Sequence, residues 1–219
     1  MAYSDLAILW DMDGTIIDSS ECHYFTWKET LRSLGFEIDR EAYHENFGRN
    51  NQTLVPLLIG FEPDPEQLKN IIEKKEALYR KLAPEEASLI TGVRSWLAEA
   101  ENRHFHQAIA SSAPMENIQA ILDGFNLRQY FDAVVSGAEL PAKPEPDVFI
   151  NAARILDHEP ESCLVIEDSM AGVAAAKNAG MYCVAVATGY AHSELHRADF
   201  VLDDFTHPLE DILSKIGLV

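Results

Sequence analysis

Four stretches of the sequence place acidic, hydroxyl or lysine side chains directly after apolar segments or at helix starts. The first reads LAILWDMDGT, so that Asp11 and Asp13 follow an apolar run with one residue between them. Further along the chain come a serine, a lysine and an adjacent acidic pair: Ser111, Lys143 and Glu167–Asp168. Taken singly, each has a plain structural explanation, because Asp and Ser favour turns and helix starts and solvated lysines are common.

Taken together, these side chains predict a site for phosphoryl transfer. Carboxylates packed against one another are tolerated only when a proton or a metal ion neutralises them. Oxygen ligands favour a hard cation, and a partly hydrated Mg2+ held by a few carboxylates fits best. Lys143 would supply positive charge, and the helix start near Ser111 would supply a hydroxyl and free backbone N–H groups, which are groups that bind phosphate.

The segments around these residues predict an α/β fold with a parallel sheet. Apolar runs without polar–apolar alternation are separated by helical patterns, which is typical of parallel strands covered on both faces. The expected strands are Leu6–Trp10, Gln107–Ala110, Ala133–Val135, Cys163–Ile166, Cys183–Ala187 and Phe200–Leu202. The expected helices are Gly92–Asn102, Pro114–Gly124, Pro146–Leu156 and Ser169–Asn178. Such sheets bind ligands just beyond the carboxyl ends of their strands.

One segment lacks strand patterns. From about residue 19 to residue 84, apolar residues recur at helical spacing, with Trp27, Leu31 and Leu34 at i, i+4 and i+7. We therefore expect residues 1–18 and 85–219 to form the α/β core and residues 19–84 to form an all-helical cap. A cap over the strand ends could exclude water and close on a substrate.

Other polar residues of the chain have simpler explanations. Lys69, Lys74 and Lys75 follow one another along a cap helix and are expected to be solvated. His23 lies near the expected cap hinge, where contact with substrate and simple packing are equally good explanations. The remaining histidines show no paired metal-ligand spacing and are expected to be structural or exposed.

The charge balance excludes several classes of partner. The 219-residue chain carries 17 Lys and Arg against 36 Asp and Glu, a formal net charge of −19. Nucleic acids and anionic membrane surfaces need clustered basic side chains, so neither is expected as a partner. No stretch approaches the ~20 apolar residues of a membrane helix, no signal-peptide pattern is visible, and the three cysteines have no CxxC spacing. We expect a cytoplasmic, monomeric protein that acts on a small molecule.

The motifs together resemble a known family. DMDGT from Asp11, Ser111, KPEPDVF from Lys143 and IEDSMAGVAAAKNAGM from Ile166 are similar, in order and spacing, to the four signature motifs of the haloacid dehalogenase-like superfamily. The helical insert resembles the C1 cap of the subfamily that contains β-phosphoglucomutases and small sugar-phosphate phosphatases. The resemblance covers nearly the whole chain and implies a Rossmann-like parallel-sheet core with an inserted helical cap.

The resemblance also implies roles for individual residues. Asp11 would be the nucleophile that forms an aspartyl-phosphate, and Asp13 would be the general acid and then the general base. Ser111, with Ser112 beside it, and Lys143 would bind the transferring phosphoryl group.

Mg2+ and the rest of the substrate would have their own ligands. Asp11, the backbone carbonyl of Asp13 and Asp168 would hold the metal, with Glu167 nearby or acting through water. His23 and Arg49 would be the substrate-binding residues of the cap, although a polar turn explains Arg49 equally well.

The resemblance leaves two reactions and a third possibility open. Asp13 favours phosphoryl chemistry, because halide-displacing members of the family lack this second aspartate. His23 and the pair Trp27–Lys28 are similar to cap residues of the mutases, which favours a sugar-phosphate-like substrate. Those mutases bind a second phosphate with a serine and a lysine where this sequence has Ala113 and Pro114. We therefore expect a magnesium-dependent phosphatase of a small phosphorylated metabolite, a sugar or polyol phosphate. The alternatives are a hexose-phosphate mutase and a non-catalytic binding protein, against which the intact motif set argues.

Overall fold

The computed structural model describes residues 6–45 and 50–218. Its contacts divide the chain into two compact units. One contains the residues up to Asp18 and from Ser88 onward, and the other is Ser19–Ala87. The first unit is α/β, and the described part of the second contains helices and no strand.

A parallel sheet forms the centre of the α/β unit. The strands of the chain are β1 (Ala7–Trp10), β2 (Ile17–Asp18), β3 (Ser88–Leu89), β4 (His106–Ser111), β5 (Ala133–Ser136), β6 (Cys163–Glu167), β7 (Tyr182–Val186) and β8 (Phe200–Leu202). In the described part of the chain, the main sheet has the order β5-β4-β1-β6-β7-β8, with every neighbouring pair parallel. β2 and β3 form a separate antiparallel pair. The predicted Rossmann-like α/β core is confirmed.

Helices occupy most of the remaining chain. In the helical unit they are α1 (Ser20–Ser33), α2 (Arg40–Glu45), α3 (Asn51–Ile59) and α4 (Pro65–Glu86). In the α/β unit they are α5 (Val93–Asn102), α6 (Met115–Gly124), α7 (Asp147–Ile155), α8 (Met170–Asn178) and α9 (Leu209–Lys215). The strands and helices predicted for the core lie within one residue of these bounds at either end. β2, β3 and α9 were not predicted, because two-residue strands and a seven-residue helix give too short a pattern.

β1 lies in the middle of the sheet, and all of its residues are apolar, as burial on both faces of a central strand requires. Ala7 and Leu9 face a cluster that includes Phe149 of α7. On the opposite face, Trp10 packs against Trp96 of α5 and against Phe205, with ring centroids 6.4 and 5.8 Å apart. Both faces of the strand are therefore fixed by packing, and the chain that leaves its carboxyl end starts from a rigid position.

The helical unit is organised around α4. Asp64 caps this helix by accepting hydrogen bonds from the backbone of Glu66 and Gln67, and Pro65 occupies its first position. Its long apolar face packs on α1, and the core of the unit contains Trp27, Leu31, Tyr43, Leu54, Val55 and Ile71. Across the described residues, no helix has the length and apolar character that crossing a membrane would require.

Candidate active site

Asp11 is the first residue after β1, and the sheet holds its backbone. Its N–H donates to the carbonyl of Ile166 in β6 at 2.9 Å, so the parallel ladder continues one residue past the strand. The side chain is buried, with 7% of the residue exposed. Burial raises the pKa of Asp11 to about 7; the charge of Lys143 opposes this rise, and that of Glu167 adds to it.

Lys143 connects two acidic side chains. Its Nζ lies 2.6 Å from Asp11 Oδ1 and 2.6 Å from Glu167 Oε1. The ammonium group also lies 4.9 Å from the ring centroid of Phe149 in α7. Burial lowers the pKa of Lys143, but the two carboxylates outweigh this and raise it above its ordinary value. The lysine is therefore a fixed positive charge at this edge of the sheet.

Glu167, the last residue of β6, uses both carboxylate oxygens within the protein. Oε1 accepts from Lys143, and Oε2 accepts from the backbone N–H of Asp168, the backbone N–H of Ser169 and the Ser169 hydroxyl at 2.8–2.9 Å. The side chain lies directly against the backbone of Gly172, where a Cβ would overlap it. These contacts hold Glu167 against Lys143 and the start of α8. A role for Glu167 near the metal or through water stays a prediction.

Asp168 follows Glu167 and lies against the turn after β1. Burial raises its pKa well above the ordinary value, and the charges of Glu167 and Asp11 add to the rise. Its carboxylate occupies the space that a Cβ on Gly14 would fill, and Gly14 has a φ of +83°. A residue with a side chain is disfavoured at position 14 by both its backbone conformation and the space available.

Asp13 lies in the turn that brings Gly14 against Asp168. The backbone N–H groups of Thr15, Ile16 and Ile17 lie 2.8–3.3 Å from the carbonyl of Met12, and the N–H of Gly14 donates to Ile17 at 2.7 Å. Asp13 itself pairs with Ile17 in an isolated bridge, and its side chain is partly buried. Its charge contributes to the raised pKa values of both Asp11 and Asp168, so the three acidic groups share one electrostatic environment.

These acidic groups fit a bound Mg2+. In residues 6–45 and 50–218, no group of three or more His, Cys, Asp or Glu side chains is arranged to hold a metal ion. Mg2+ does not need such a group, because it keeps several waters and is usually held by one or two carboxylates. Asp11 and Asp168 are two carboxylates whose ionisation is disfavoured by burial, and a bound cation would offset that penalty.

Ser111 ends β4, the strand next to β1. The residue is 2% exposed, and its Oγ accepts from the backbone N–H of Ala113 at 3.1 Å. Ser136 donates to the carbonyl of Ala113 at 2.7 Å and so fixes the loop that follows. Ser112 is exposed, and α6 begins after Pro114 without a side-chain cap. A structural role for Ser111 and Ser112 as helix caps is therefore not found.

In the helical unit, the prediction that Lys75 is solvated is wrong. Lys75 is 1% exposed, and its Nζ lies 2.9 Å from both His23 Nδ1 and Glu76 Oε1. The ring centroids of Trp27 and Tyr79 lie 5.4 and 5.0 Å from the same nitrogen. Lys69 and Lys74 are exposed, as expected. The missed signal is that position 75 is four residues from two buried positions of α4, Ile71 and Tyr79, and so shares their face.

His23 belongs to the same cluster. Its ring stacks on Tyr79 at a centroid distance of 4.1 Å and an interplanar angle of 11°. Because a protonated lysine can only donate, Nδ1 of His23 accepts, and a neutral ring then carries its proton on Nε2. Glu76 is shared with Asn51, whose Nδ2 donates to it at 2.8 Å. The other predicted cap residue, Arg49, lies outside the described residues.

Comparisons with known proteins identify the family of the chain. A family model described as haloacid dehalogenase-like hydrolase matches residues 8–186. Hexitol phosphatase B of Escherichia coli (strain K12) is 31% identical over 202 residues, which are 91% of this chain and 90% of the relative. A β-phosphoglucomutase of Bacillus subtilis (strain 168) is 31% identical over 194 residues, 84% of each chain.

A solved structure shows the same relationship in three dimensions. CbbY from Rhodobacter sphaeroides, determined in complex with phosphate, superposes with a TM-score of 0.83 at 31% identity and covers 92% of this chain and 95% of its own. The match of the family model spans Asp11, Ser111 and Asp168 at their strand ends and Lys143 in the loop between β5 and α7. This chain belongs to the haloacid dehalogenase-like hydrolases.

Proposed function

We propose that this protein is a magnesium-dependent phosphatase that hydrolyses a small phosphorylated metabolite, a sugar or polyol phosphate. The observation that carries the proposal is the bridge from Lys143 to Asp11 and Glu167 at the carboxyl edge of β1 and β6, at 2.6 Å on each side. It places a buried carboxylate beside a fixed cation, one strand away from the hydroxyl of Ser111. The hexitol phosphatase relative supports the class of substrate.

The proposed reaction has two steps. A carboxylate oxygen of Asp11 attacks phosphorus, the bond to the leaving oxygen breaks, and Asp13 gives that oxygen its proton. Asp13 then takes a proton from water, the water oxygen attacks the aspartyl-phosphate, and inorganic phosphate leaves with Asp11 regenerated. Lys143 and Ser111 bind the phosphoryl oxygens throughout and offset their negative charge.

Asp11, Asp168 and the backbone carbonyl of Asp13 are the proposed metal-holding groups. When bound, Mg2+ supplies positive charge that favours the ionised form of both carboxylates and neutralises the phosphate ester. Glu167 keeps Lys143 in place, and His23 remains a proposed substrate-binding residue of the helical unit on the resemblance. Ser112 and Arg49 remain proposed substrate-binding residues on the resemblance alone.

A screen of phosphate release across sugar phosphates, polyol phosphates and nucleotides tests the function. Release is expected to depend on Mg2+, and Asp11→Asn is expected to reduce it by at least ~10³-fold, because the nucleophile is lost. Circular dichroism and thermal unfolding of the variant should show an intact fold. Undiminished turnover by Asp11→Asn would contradict the mechanism, and absence of turnover across the panel would favour a non-catalytic protein.

A hexose-phosphate mutase is the second candidate, and the β-phosphoglucomutase relative favours it. Ala113 and Pro114, which follow Ser111, offer no charged or hydroxyl group for a second phosphate. A hexose 1-phosphate supplied with a trace of the corresponding bisphosphate distinguishes the two reactions. Faster formation of the 6-phosphate than of inorganic phosphate would identify the mutase.

A further inference from the structure

The loop after β7 reaches the same turn that carries Asp13. The N–H of Ala187 donates to Leu202 in the neighbouring strand β8 at 2.7 Å, which fixes the start of this loop. The next residue, Thr188, donates its hydroxyl to the carbonyl of Gly14 at 2.6 Å. Thr188 lies outside every motif that the sequence indicated, and the proposed chemistry gives it no role.

Gly14 connects this hydrogen bond to the metal-holding groups. Its N–H donates to Ile17, and its carbonyl accepts from Thr188, so both backbone groups are held. Its α-carbon lies against the carboxylate of Asp168, because a Cβ there would overlap that group. Because Gly14 follows Asp13 directly, a shift of the Gly14 α-carbon would move both the surface that Asp168 rests on and the peptide that carries the Asp13 carbonyl.

A second residue of the loop, Tyr190, is held by packing. Tyr190 packs on the core cluster that contains Leu9 and Val165. Burial raises the pKa of Tyr190, and the negative charges of Asp168, Glu194 and Glu167 raise it further. The loop is thus held at both sides of Gly189, at Thr188 by a hydrogen bond and at Tyr190 by packing.

We propose that Thr188 is a positioning residue for the metal site. Its hydroxyl holds the Gly14 carbonyl and thereby fixes the Asp13–Gly14 turn against Asp168, so that two of the three proposed metal-holding groups, the Asp13 carbonyl and Asp168, are in place before the cation binds. The effect of Thr188 on catalysis rests on the proposed function. Its direct effect is on the affinity of the protein for Mg2+, which can be measured without substrate. Partners that orient metal ligands typically contribute 10–100-fold in metal affinity or activity.

Two substitutions at position 188 separate the hydroxyl from the rest of the side chain. Thr188→Val keeps the shape and removes the donor, and Thr188→Ser keeps the donor and removes a methyl group. Thr206→Val is the matched control, because Thr206 donates a hydroxyl hydrogen bond of the same length, 2.6 Å, to Asp204 in another loop. Each variant is titrated with Mg2+ by calorimetry in the absence of substrate, and thermal unfolding checks that it is folded.

We expect Thr188→Val to weaken Mg2+ binding by about tenfold, whereas Thr188→Ser and Thr206→Val bind like the parent protein. In phosphate-release assays, the Mg2+ concentration for half-maximal activity should rise by the same factor in Thr188→Val, with the substrate KM at saturating Mg2+ little changed. Parent-like Mg2+ affinity in Thr188→Val, or equal weakening in Thr188→Ser, would overturn the inference.

The two proposals fail in distinguishable ways. If the parent protein binds Mg2+ and Thr188→Val binds it more weakly, but no substrate releases phosphate, the proposed function fails and the positioning role stands. If phosphate release is magnesium-dependent and Thr188→Val matches the parent in both titrations, the function stands and the positioning role fails.

Discussion

Lys143 of the α/β unit and Lys75 of the helical unit both have side chains that are at most 9% exposed, and their environments differ. Lys143 lies between two carboxylates, Asp11 and Glu167, that come from neighbouring parallel strands. Lys75 lies beside one carboxylate, Glu76, which is adjacent in sequence, and against an imidazole and two aromatic rings. The first arrangement depends on the sheet register, and the second depends on the faces of two helices.

The two lysines differ in how fully neighbouring carboxylates compensate their charge. Around Lys143 two negative groups compensate one positive group, which leaves acidic charge in excess for a further cation to bind. Around Lys75 one carboxylate matches one ammonium, and Asn51 takes up the same oxygen of Glu76. The cluster around Lys143 has negative charge that is not compensated by the lysine, whereas the charges of Lys75 and Glu76 compensate each other.

Removal of Lys143 should have the largest effect. Lys143→Met leaves Asp11 and Glu167 buried without their cation, and loss of one partner of a buried pair costs about 3–5 kcal/mol in the free energy of unfolding. Phosphate release should fall by at least ~10²-fold, because the phosphoryl oxygens lose a charge contact. Urea unfolding at pH 8 and steady-state kinetics measure the two effects.

Lys177→Met is the control for this experiment. Lys177 pairs with Asp199 at 2.7 Å, and its side chain is 28% exposed. A pair of this kind contributes about 0–1 kcal/mol. Equal losses from Lys143→Met and Lys177→Met would contradict a special role for the buried bridge.

Gly172→Ala should displace Lys143 indirectly, through Glu167. The new methyl group would overlap Glu167, which must move, and the overpacked site should lose about 1–3 kcal/mol of stability. Because Glu167 holds Lys143, we expect kcat to fall by about tenfold. Gly189→Ala is the control, since a Cβ there meets nothing within 4 Å. An unchanged kcat in Gly172→Ala would show that the position of Glu167 does not affect the rate of the reaction.

Lys75→Met should have a smaller effect on turnover. The substitution leaves Glu76 with Asn51 and deprives His23 of its donor, so we expect a loss of about 1–3 kcal/mol in stability and about threefold in kcat/KM. Lys74→Met, at the neighbouring exposed position, should change stability by less than ~0.5 kcal/mol. A larger loss of activity from Lys75→Met than from Lys143→Met would contradict the prediction that Lys143 contributes more to turnover.

The stability of the metal-free protein should depend on pH through Asp11. Its pKa is raised from 3.8 to about 7 in the folded state, so the folded protein binds this proton more tightly than the unfolded chain. The corresponding stability is complete below about pH 4 and is lost as pH rises through about 7. Thermal unfolding between these pH values should show a decreasing Tm, with a shallower decrease in Asp11→Asn. Identical profiles would contradict the raised pKa.

Much of the core arrangement is predictable from sequence because neighbouring strands are parallel. Asp11, Ser111 and Asp168 each lie at or directly after the carboxyl end of a buried apolar strand, and the adjacency of β4, β1 and β6 brings those ends together. The sequence does not predict which oxygen meets which donor. That Glu167 accepts hydrogen bonds from Lys143 and Ser169 follows from side-chain geometry alone.

The sequence also did not predict the contacts of Thr188 and Lys75. Thr188 touches Gly14 across the sheet edge, and no local pattern relates residues so distant in sequence. Lys75 was misjudged because lysine is almost always exposed, and only its spacing from Ile71 and Tyr79 indicates otherwise.

The hydrogen bond from Asp11 to Ile166 has a consequence for local motion. Because the ladder between β1 and β6 extends to Asp11, this amide should exchange its hydrogen with solvent only when the centre of the sheet opens, whereas amides of the loop that carries Ser112 should exchange through small openings. The proposed nucleophile then needs no ordering step before it reacts. Its backbone should open only with the centre of the sheet, so that substrate binding has less conformational entropy to remove.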